Sequence, residues 1–260
     1  MKITLLQQDI CWANPTVNKR RTEEAILSAP DSDLYVLPEM WSTGFGNPPT
    51  LSDCGFDYNN DESLQWMKTM SKRKDAAIAG SLSVKERDGV YRNRLYFVTP
   101  HDVWYYDKRH LFSYGNEHLA YTAGIERKVV EWRGVKFLLQ ICYDLRFPCF
   151  SRNGVTLSVD ALPTYGYDCA LYVASWPTSR IGVWHALLKA RALENQCYVI
   201  GVNRVGNDPV CTYCGGTCAI DAYGRTVASC PDGAVASCTF EIDLDGLSRF
   251  RSKFPVLEDV

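Results

Sequence analysis

The sequence lacks any apolar run approaching the ~20 residues that a membrane-spanning helix needs. Its opening, Met1-Lys2-Ile3-Thr4-Leu5-Leu6-Gln7-Gln8-Asp9, turns polar too soon for a signal peptide, so a cytoplasmic protein is expected. An excess of charge is also missing: 30 acidic residues stand against 28 basic ones, for a net charge of -2. That balance gives no electrostatic basis for gripping nucleic acid or an anionic membrane, and suits a small neutral or anionic ligand better. Repeats, low-complexity tracts and linkers are absent. The 260 residues are therefore expected to form one α/β domain, a length that buries a substantial core.

Histidine is scarce, with only 4 in the chain. Cysteine is not: there are 11, an odd number in a chain without an export signal, which reads as reduced thiols rather than a disulfide framework. Most are expected to be small buried hydrophobes. Cys211, Cys214 and Cys218 are spaced C-x2-C-x3-C, but a structural zinc site needs four ligands and no second Cys or His pair follows. They fall in a Thr- and Gly-rich stretch that reads as a hairpin, with alternate residues facing a core.

Short β-like runs alternate with helical ones. Residues 3–7 and 34–37 read as strands, and 17–28 and 63–73 as helices. Strands are expected at 76–84, 94–99, 103–106, 128–132 and 135–141, then at 170–174 and 198–205 around a helix over 182–195. Runs at 217–221, 226–229 and 236–242 look like a closing meander. So much strand implies a large mixed sheet or two packed sheets. The stretch 153–167 is rich in turn formers.

Three segments share one layout, an apolar strand followed at once by a reactive residue: Leu34-Tyr35-Val36-Leu37-Pro38-Glu39, Val103-Trp104-Tyr105-Tyr106-Asp107-Lys108 and Val135-Lys136-Phe137-Leu138-Leu139-Gln140-Ile141-Cys142. In α/β sheets, side chains from separate segments converge beyond the carboxyl ends of the strands, so Glu39, Lys108 and Cys142 are expected at one edge. Taken singly, the Glu and Lys read as solvated loop residues and the Cys as packing. Together they suit acyl transfer. A thiol with a reference pKa of about 8.5 is mostly protonated at neutral pH and needs a base. A partly buried carboxylate such as Glu39 can take the thiol proton and return it to a departing amine. Lys108 can stabilise the oxyanion, with the backbone N–H of Tyr143 as a second donor.

With these residues in order, the motifs Pro38-Glu39-Met40, Tyr106-Asp107-Lys108-Arg109-His110-Leu111-Phe112 and Ile141-Cys142-Tyr143-Asp144-Leu145-Arg146-Phe147-Pro148 resemble the nitrilase, or carbon-nitrogen hydrolase, superfamily. The resemblance runs nearly end to end, taking in Ser175-Trp176-Pro177 and the helical stretch 189–196. It implies a Glu-Lys-Cys triad on Glu39, Lys108 and Cys142, and a second active-site glutamate that positions the lysine, here Glu117, seven residues before Gly124. It also implies a four-layer α-β-β-α sandwich, a homodimer or higher homo-oligomer, and chemistry that requires no cofactor or metal. Together with Gly201-Val202-Asn203-Arg204-Val205-Gly206, the lysine motif and Trp176-Pro177 are similar to the omega-amidase branch. Such enzymes hydrolyse 2-oxoglutaramate and 2-oxosuccinamate to the 2-oxo acid and ammonia.

That substrate class carries a carboxylate, which an arginine fork would suit. Arg146 and Arg180 are near in sequence to the motifs, and Arg146 reads equally as a structural ion-pair partner. Phe45, Tyr143 and Trp176 are candidates for shaping a small pocket. Two departures from the branch stand out: Cys149 after Arg-Phe-Pro, and a stretch 153–167 that looks longer than usual and is expected to bear on substrate choice or assembly. The alternatives are another carbon-nitrogen hydrolase activity on the same triad, namely a nitrilase, an N-carbamoyl amidase or an aliphatic amidase, and a Cys-His-Asp protease using Cys142, His185 and Asp144. From other classes come a non-catalytic binding protein and a thiol-redox or zinc-regulatory protein resting on Cys211, Cys214 and Cys218.

Overall fold

The computed structural model describes residues 1–46, 62–154 and 166–259. Two six-stranded sheets form its centre. The first runs β14-β1-β2-β3-β4-β5, built from β1 (Lys2–Gln7), β2 (Leu34–Val36), β3 (Ala77–Lys85), β4 (Tyr91–Val98), β5 (Val103–Asp107) and β14 (Ala236–Glu241). The second runs β13-β12-β9-β8-β7-β6, from β6 (Val129–Trp132), β7 (Val135–Ile141), β8 (Cys169–Val173), β9 (Tyr198–Val202), β12 (Cys218–Ile220) and β13 (Thr226–Ser229). A separate hairpin pairs β10 (Val205–Asn207) with β11 (Thr212–Cys214).

The pleat explains the layering, because successive side chains of a strand face opposite sides. On β1, β2 and the residue that follows β2, Leu5, Leu34 and Val36 enter the core between the sheets, while Leu6, Tyr35 and Leu37 enter a second core beneath the helices α1 (Pro15–Ser28) and α2 (Glu62–Lys74). Phe97 of β4 meets Phe137 of β7 across the inter-sheet core, with ring centroids 5.6 Å apart. On the far side of the second sheet, α5 (Ile181–Asn195) buries Trp184, Leu188 and Ala192. The order is helix, sheet, sheet, helix, the four-layer sandwich. Central strands such as β2 and β8 are covered on two faces, which is why Leu34–Val36 and Cys169–Val173 read as continuous apolar runs.

Local chemistry sets the helix ends. Asn14 caps α1 by accepting from the Val17 N–H at 3.1 Å, and Pro15 occupies the first turn, where its missing N–H costs nothing. Asp243 caps α6 (Leu244–Lys253) through the Gly246 N–H at 2.9 Å.

Several expectations are corrected. The strand expected over 198–205 breaks after Val202: Asn203 and Arg204 leave the sheet and the chain resumes as β10. The expected meander is split, since β12 and β13 close the second sheet while β14 pairs antiparallel with β1 in the first. The hairpin expected to carry three cysteines holds only Cys214 on β11, with Tyr213 as its inward residue, whereas Cys218 lies buried on β12. Helix α6, which buries Leu247 and Arg251, was not foreseen, although Leu244, Leu247 and Phe250 already stand at helical spacing. Of the stretch 153–167, residues 155–165 lie outside the described residues. Among the described residues, no helix is long and apolar enough to cross a membrane.

Candidate active site

Strand exits from both sheets meet at one edge. After β2, Pro38 cannot donate to a ladder and the chain turns away. Glu39 follows, its N–H directed at the Ala174 carbonyl beyond β8 at 3.4 Å. The Ser175 N–H returns to Glu39 Oε2 at 2.9 Å and the Ser175 hydroxyl to the Glu39 carbonyl at 3.3 Å, so the two sheets are stitched together where they end. Met40 then adopts a left-handed φ of 45°, held by an N–H bond to Ser81 Oγ at 2.9 Å.

Lys108 leaves β5 with its N–H on the Asn93 carbonyl at 2.9 Å, and its own carbonyl accepts from the Gly124 N–H at 2.9 Å. A Cβ on Gly124 would stand 2.3 Å from the Asp107 carbonyl oxygen, so only glycine permits that approach. The loop from Lys108 to Gly124 is thus closed at its base, and Glu117 begins the short helix α3 (Glu117–Ala120) within it.

Cys142 follows β7 directly, at the head of a 3-10 turn over Cys142–Arg146, with φ of 46°. A left-handed conformation is costly for a residue with a side chain and persists only where the surroundings over-determine it. Here Asp144, fully buried, supplies much of that determination. Its Oδ2 accepts from the Ile141 N–H at 3.0 Å and the Tyr106 hydroxyl at 2.8 Å. Its Oδ1 accepts from the His110 N–H at 2.9 Å and lies 2.8 Å from His110 Nδ1. One carboxylate therefore ties the turn carrying Cys142 to the strand and loop carrying Lys108.

The structure brings Glu39, Lys108, Glu117 and Cys142 together. Lys108 Nζ lies 2.8 Å from Glu39 Oε1 and 2.8 Å from Glu117 Oε2, with all three side chains almost wholly buried. Burial opposes the charge on Lys108, but Glu117 and then Glu39 outweigh it and hold the ammonium well above the ordinary lysine range. Burial, reinforced by Glu39, pushes the Glu117 carboxyl up against the pull of Lys108. Burial and then the Glu39 charge push the Cys142 thiol well above its ordinary value, with Lys108 acting in the other direction. The thiol is thus neutral at physiological pH, hydrogen-bonded to Glu39 and 8% exposed.

A cavity of about 50 Å³ opens on Cys142, lined by the three aromatics expected to shape a pocket, Phe45, Tyr143 and Trp176, and by the two arginines considered for a substrate carboxylate, Arg146 and Arg180. The Phe45 ring lies 5.3 Å from Lys108 Nζ. Arg146 stacks over Trp176 with Cζ 5.0 Å from the ring centroid, and Arg180 over Phe112 at 5.3 Å. Both guanidiniums are half-buried, and among the described residues neither has an acidic partner. The structural ion pair considered for Arg146 is not formed within that set. Trp176 is fixed by Asn203, whose Oδ1 accepts the Trp176 N–H at 2.7 Å while its Nδ2 donates to the Trp176 carbonyl at 3.0 Å. The break after β9 therefore has a purpose: it frees Asn203 to hold the pocket wall.

Sequence reasoning missed Phe112, Ser175 and Tyr213 as lining residues, Asn203 behind them, and Asn93, which donates to both glutamates. Asn93 fell just outside the strand expected from 94, and nothing in a single polar residue beside it signals a buried amide. Cys211, considered only for zinc, also lines the cavity. Cys149 is exposed on α4 (Pro148–Ser151). The protease alternative fails on placement: His185 lines a different cavity with Gly216 and Cys218, Asp144 engages His110, and the charged groups acting on Cys142 are Glu39, Lys108 and Glu117.

Comparison with known proteins agrees with this geometry. A family model described as carbon-nitrogen hydrolase matches residues 2–252. The chain is 42% identical to the omega-amidase YafV of Yersinia enterocolitica, with 100% of this chain and 96% of that protein covered. It is 34% identical to the 2-oxoglutaramate amidase of Bacillus subtilis, covering 99% and 96%. Among solved structures, XC1258 from Xanthomonas campestris, a CN-hydrolase superfamily protein with an arsenic adduct in its active site, superposes with a TM-score of 0.92 at 37% identity, covering 100% of this chain and 97% of that one. Sandwich, strand-end site and end-to-end similarity together establish that this chain belongs to the carbon-nitrogen hydrolase family.

Proposed function

We propose that the chain is a single-domain omega-amidase that hydrolyses 2-oxoglutaramate and 2-oxosuccinamate to the 2-oxo acid and ammonia through a thioester on Cys142. The observation that carries this reading is the pair of guanidiniums, Arg146 and Arg180, held on aromatic faces in the wall of the cavity above the thiol. A small amide with a remote carboxylate has its amide carbon at sulfur and its anionic end within reach of an arginine fork. The omega-amidase relatives support the same substrate class.

Glu39 takes the thiol proton as sulfur bonds to the amide carbon. Lys108 Nζ and the Tyr143 N–H stabilise the oxyanion, each such donor being worth about 2.7–4 kcal/mol of barrier. Glu39 returns its proton to the amide nitrogen, the C–N bond breaks and ammonia leaves. Water then loses a proton to Glu39 and attacks the thioester, the C–S bond breaks, and the thiolate takes that proton back from Glu39, releasing the acid and restoring the thiol and the carboxylate. Glu117 holds Lys108 on its other side so that the ammonium stays charged. The enzyme works in the cytoplasm as a homodimer or higher homo-oligomer, in which the stretch 153–167 bears on substrate choice or assembly.

A screen for ammonia release over 2-oxo acid amides, simple aliphatic amides, nitriles and N-carbamoyl amines tests the reading. The 2-oxo dicarboxylic monoamides are expected to be turned over with the highest kcat/KM. Release from nitriles or N-carbamoyl amines, with none from the oxo amides, contradicts it.

A further inference from the structure

We infer that Asn93 is a positioning residue of this site, whose side-chain amide donates to Glu39 and Glu117 at once and thereby keeps both carboxylates ionised, leaving Glu39 able to accept the Cys142 proton. The inference rests on the reading of Glu39 as the base. Its ground is a census of the carboxylate oxygens. Glu39 Oε1 accepts from Lys108 Nζ and Asn93 Nδ2, both at 2.8 Å, and its Oε2 accepts from the Ser175 N–H at 2.9 Å. Glu117 Oε1 accepts from Asn93 Nδ2 at 2.9 Å and Lys108 Nζ at 3.1 Å. Its Oε2 accepts from the Phe112 N–H at 2.7 Å and Lys108 Nζ at 2.8 Å.

Two carboxylates drawn to one ammonium carry a net negative charge out of water. The ordinary relief is for the pair to share a proton, as carboxylate dyads do. Here each of the four oxygens already accepts from an N–H donor, so a proton shared between the two carboxylates would displace one of those bonds, whereas the Cys142 thiol approaches Glu39 separately. Two of those donors are backbone groups and one is the shared cation. Asn93 is the remaining one, and among the described side chains only it and Lys108 donate to both glutamates. An amide in this place must present its nitrogen, since its oxygen toward two carboxylates would repel.

Its placement comes from the sheet. Asn93 lies opposite Ser83 in the β3–β4 ladder, and its carbonyl accepts from the Lys108 N–H, so amide and ammonium start from adjacent backbone positions. Facing the amide are Glu39 beyond β2, Lys108 beyond β5, Glu117 on α3 and, through Glu39 and Lys108, Cys142; the Tyr121 hydroxyl bonds Ser83. The flanking arginines point elsewhere, Arg92 to the carbonyls of Thr122 and Ala123 and Arg94 to Asp107 and Glu86. The amide oxygen of Asn93 is buried with no hydrogen-bond partner among the described residues. A residue whose only part was packing would not leave it so.

That sets the test. Asn93→Leu and Asn93→Ala are compared with wild type for carbamidomethylation of Cys142 by iodoacetamide from pH 5 to 9, resolved by peptide mass, with turnover and melting temperature in parallel. Alkylation needs no substrate, so a failure of the omega-amidase reading would show as absent ammonia release from wild type while the alkylation profile still decides the role of Asn93. The acid limb of the alkylation profile is expected to move up by about one pH unit or more, a tenfold slower reaction on the limb that recovers at alkaline pH. In turnover, kcat is expected to fall roughly 10- to 100-fold with KM little changed, while the melting curves show both variants folded at the assay temperature. A limb that stays in place in a folded variant overturns the inference, as does a slowing equal at every pH.

Discussion

Asp144→Asn tests how far the nucleophile turn depends on the buried carboxylate beside it. The substitution keeps the shape but puts an NH2 where two donors now meet an oxygen. With the NH2 in place of Oδ2, the Tyr106 hydroxyl can rotate to accept, but the Ile141 N–H is stranded. In place of Oδ1, the other His110 ring tautomer can accept, but the His110 N–H is stranded. Either way one buried backbone N–H loses its acceptor, at about 1–3 kcal/mol. The bonds that survive change from charge-assisted to neutral and weaken by roughly half, so about 2–4 kcal/mol is lost in all. Against a total stability of about 5–15 kcal/mol the variant folds, and at about 2–4 °C per kcal/mol its Tm falls by about 5–15 °C. The left-handed φ at Cys142 loses part of its restraint. A misplacement on the order of 1 Å then lowers kcat by up to about 100-fold, while KM changes less. Thermal melts and steady-state ammonia release measure both. A variant with the wild-type Tm and kcat refutes the assignment of Asp144 as the tie between the two loops.

Lys108→Met and Glu117→Gln are expected to lower kcat/KM by about 100-fold or more while the far-UV circular dichroism is kept, and a near-normal rate in either removes that residue from the mechanism. Arg146→Ala and Arg180→Ala are expected to raise KM for 2-oxoglutaramate by about 10- to 100-fold, the worth of one charge-assisted bond, and to leave a neutral amide such as propionamide unaffected. Equal losses on both substrates contradict the carboxylate subsite. The buried thiol also predicts a pH effect with a definite sign. Since Cys142 is held above its unfolded value of about 8.5, its neutral form is the one the fold accepts. Its contribution to stability is complete below that pH and is lost as pH rises through the folded value. Wild type should therefore lose stability relative to Cys142→Ala above about pH 8.5, by up to about 1.4 kcal/mol per pH unit. Parallel urea titrations at pH 7 and 9.5 measure it, and an unchanged difference counts against a buried neutral thiol.

What the sequence made legible was chemistry attached to strong local signals. Glu39, Lys108 and Cys142 each follow an apolar strand, and a strand end in an α/β sheet is a defined place, so their meeting could be reasoned before the fold was known. Tyr143, Arg146 and Trp176 lie in the motifs themselves, Arg180 was named for its nearness to Trp176-Pro177, and Phe45 only as an aromatic suited to a pocket wall. The residues that hold them did not. Asn93, Asp144 and Asn203 act through side-chain bonds that cross from one sheet, turn or hairpin to another, and no periodicity marks such partners. The same holds for the fold. Alternation located most strands to within a few residues, but not which sheet β14 would join, because that choice depends on its pairing with β1 across almost the whole chain. Helix α6 is docked partly by Arg251, which bonds the carbonyls of Tyr167 and Gln196 and the carboxylate of Asp168, contacts that no local pattern announces.

The central claim is a covalent acyl-enzyme on Cys142, and mass spectrometry of protein quenched in acid during turnover of 2-oxoglutaramate addresses it directly. The account predicts a 2-oxo acyl adduct confined to the peptide bearing Cys142, and no ammonia release from Cys142→Ala. Sustained ammonia release from folded Cys142→Ala, or an adduct on another residue, would contradict it.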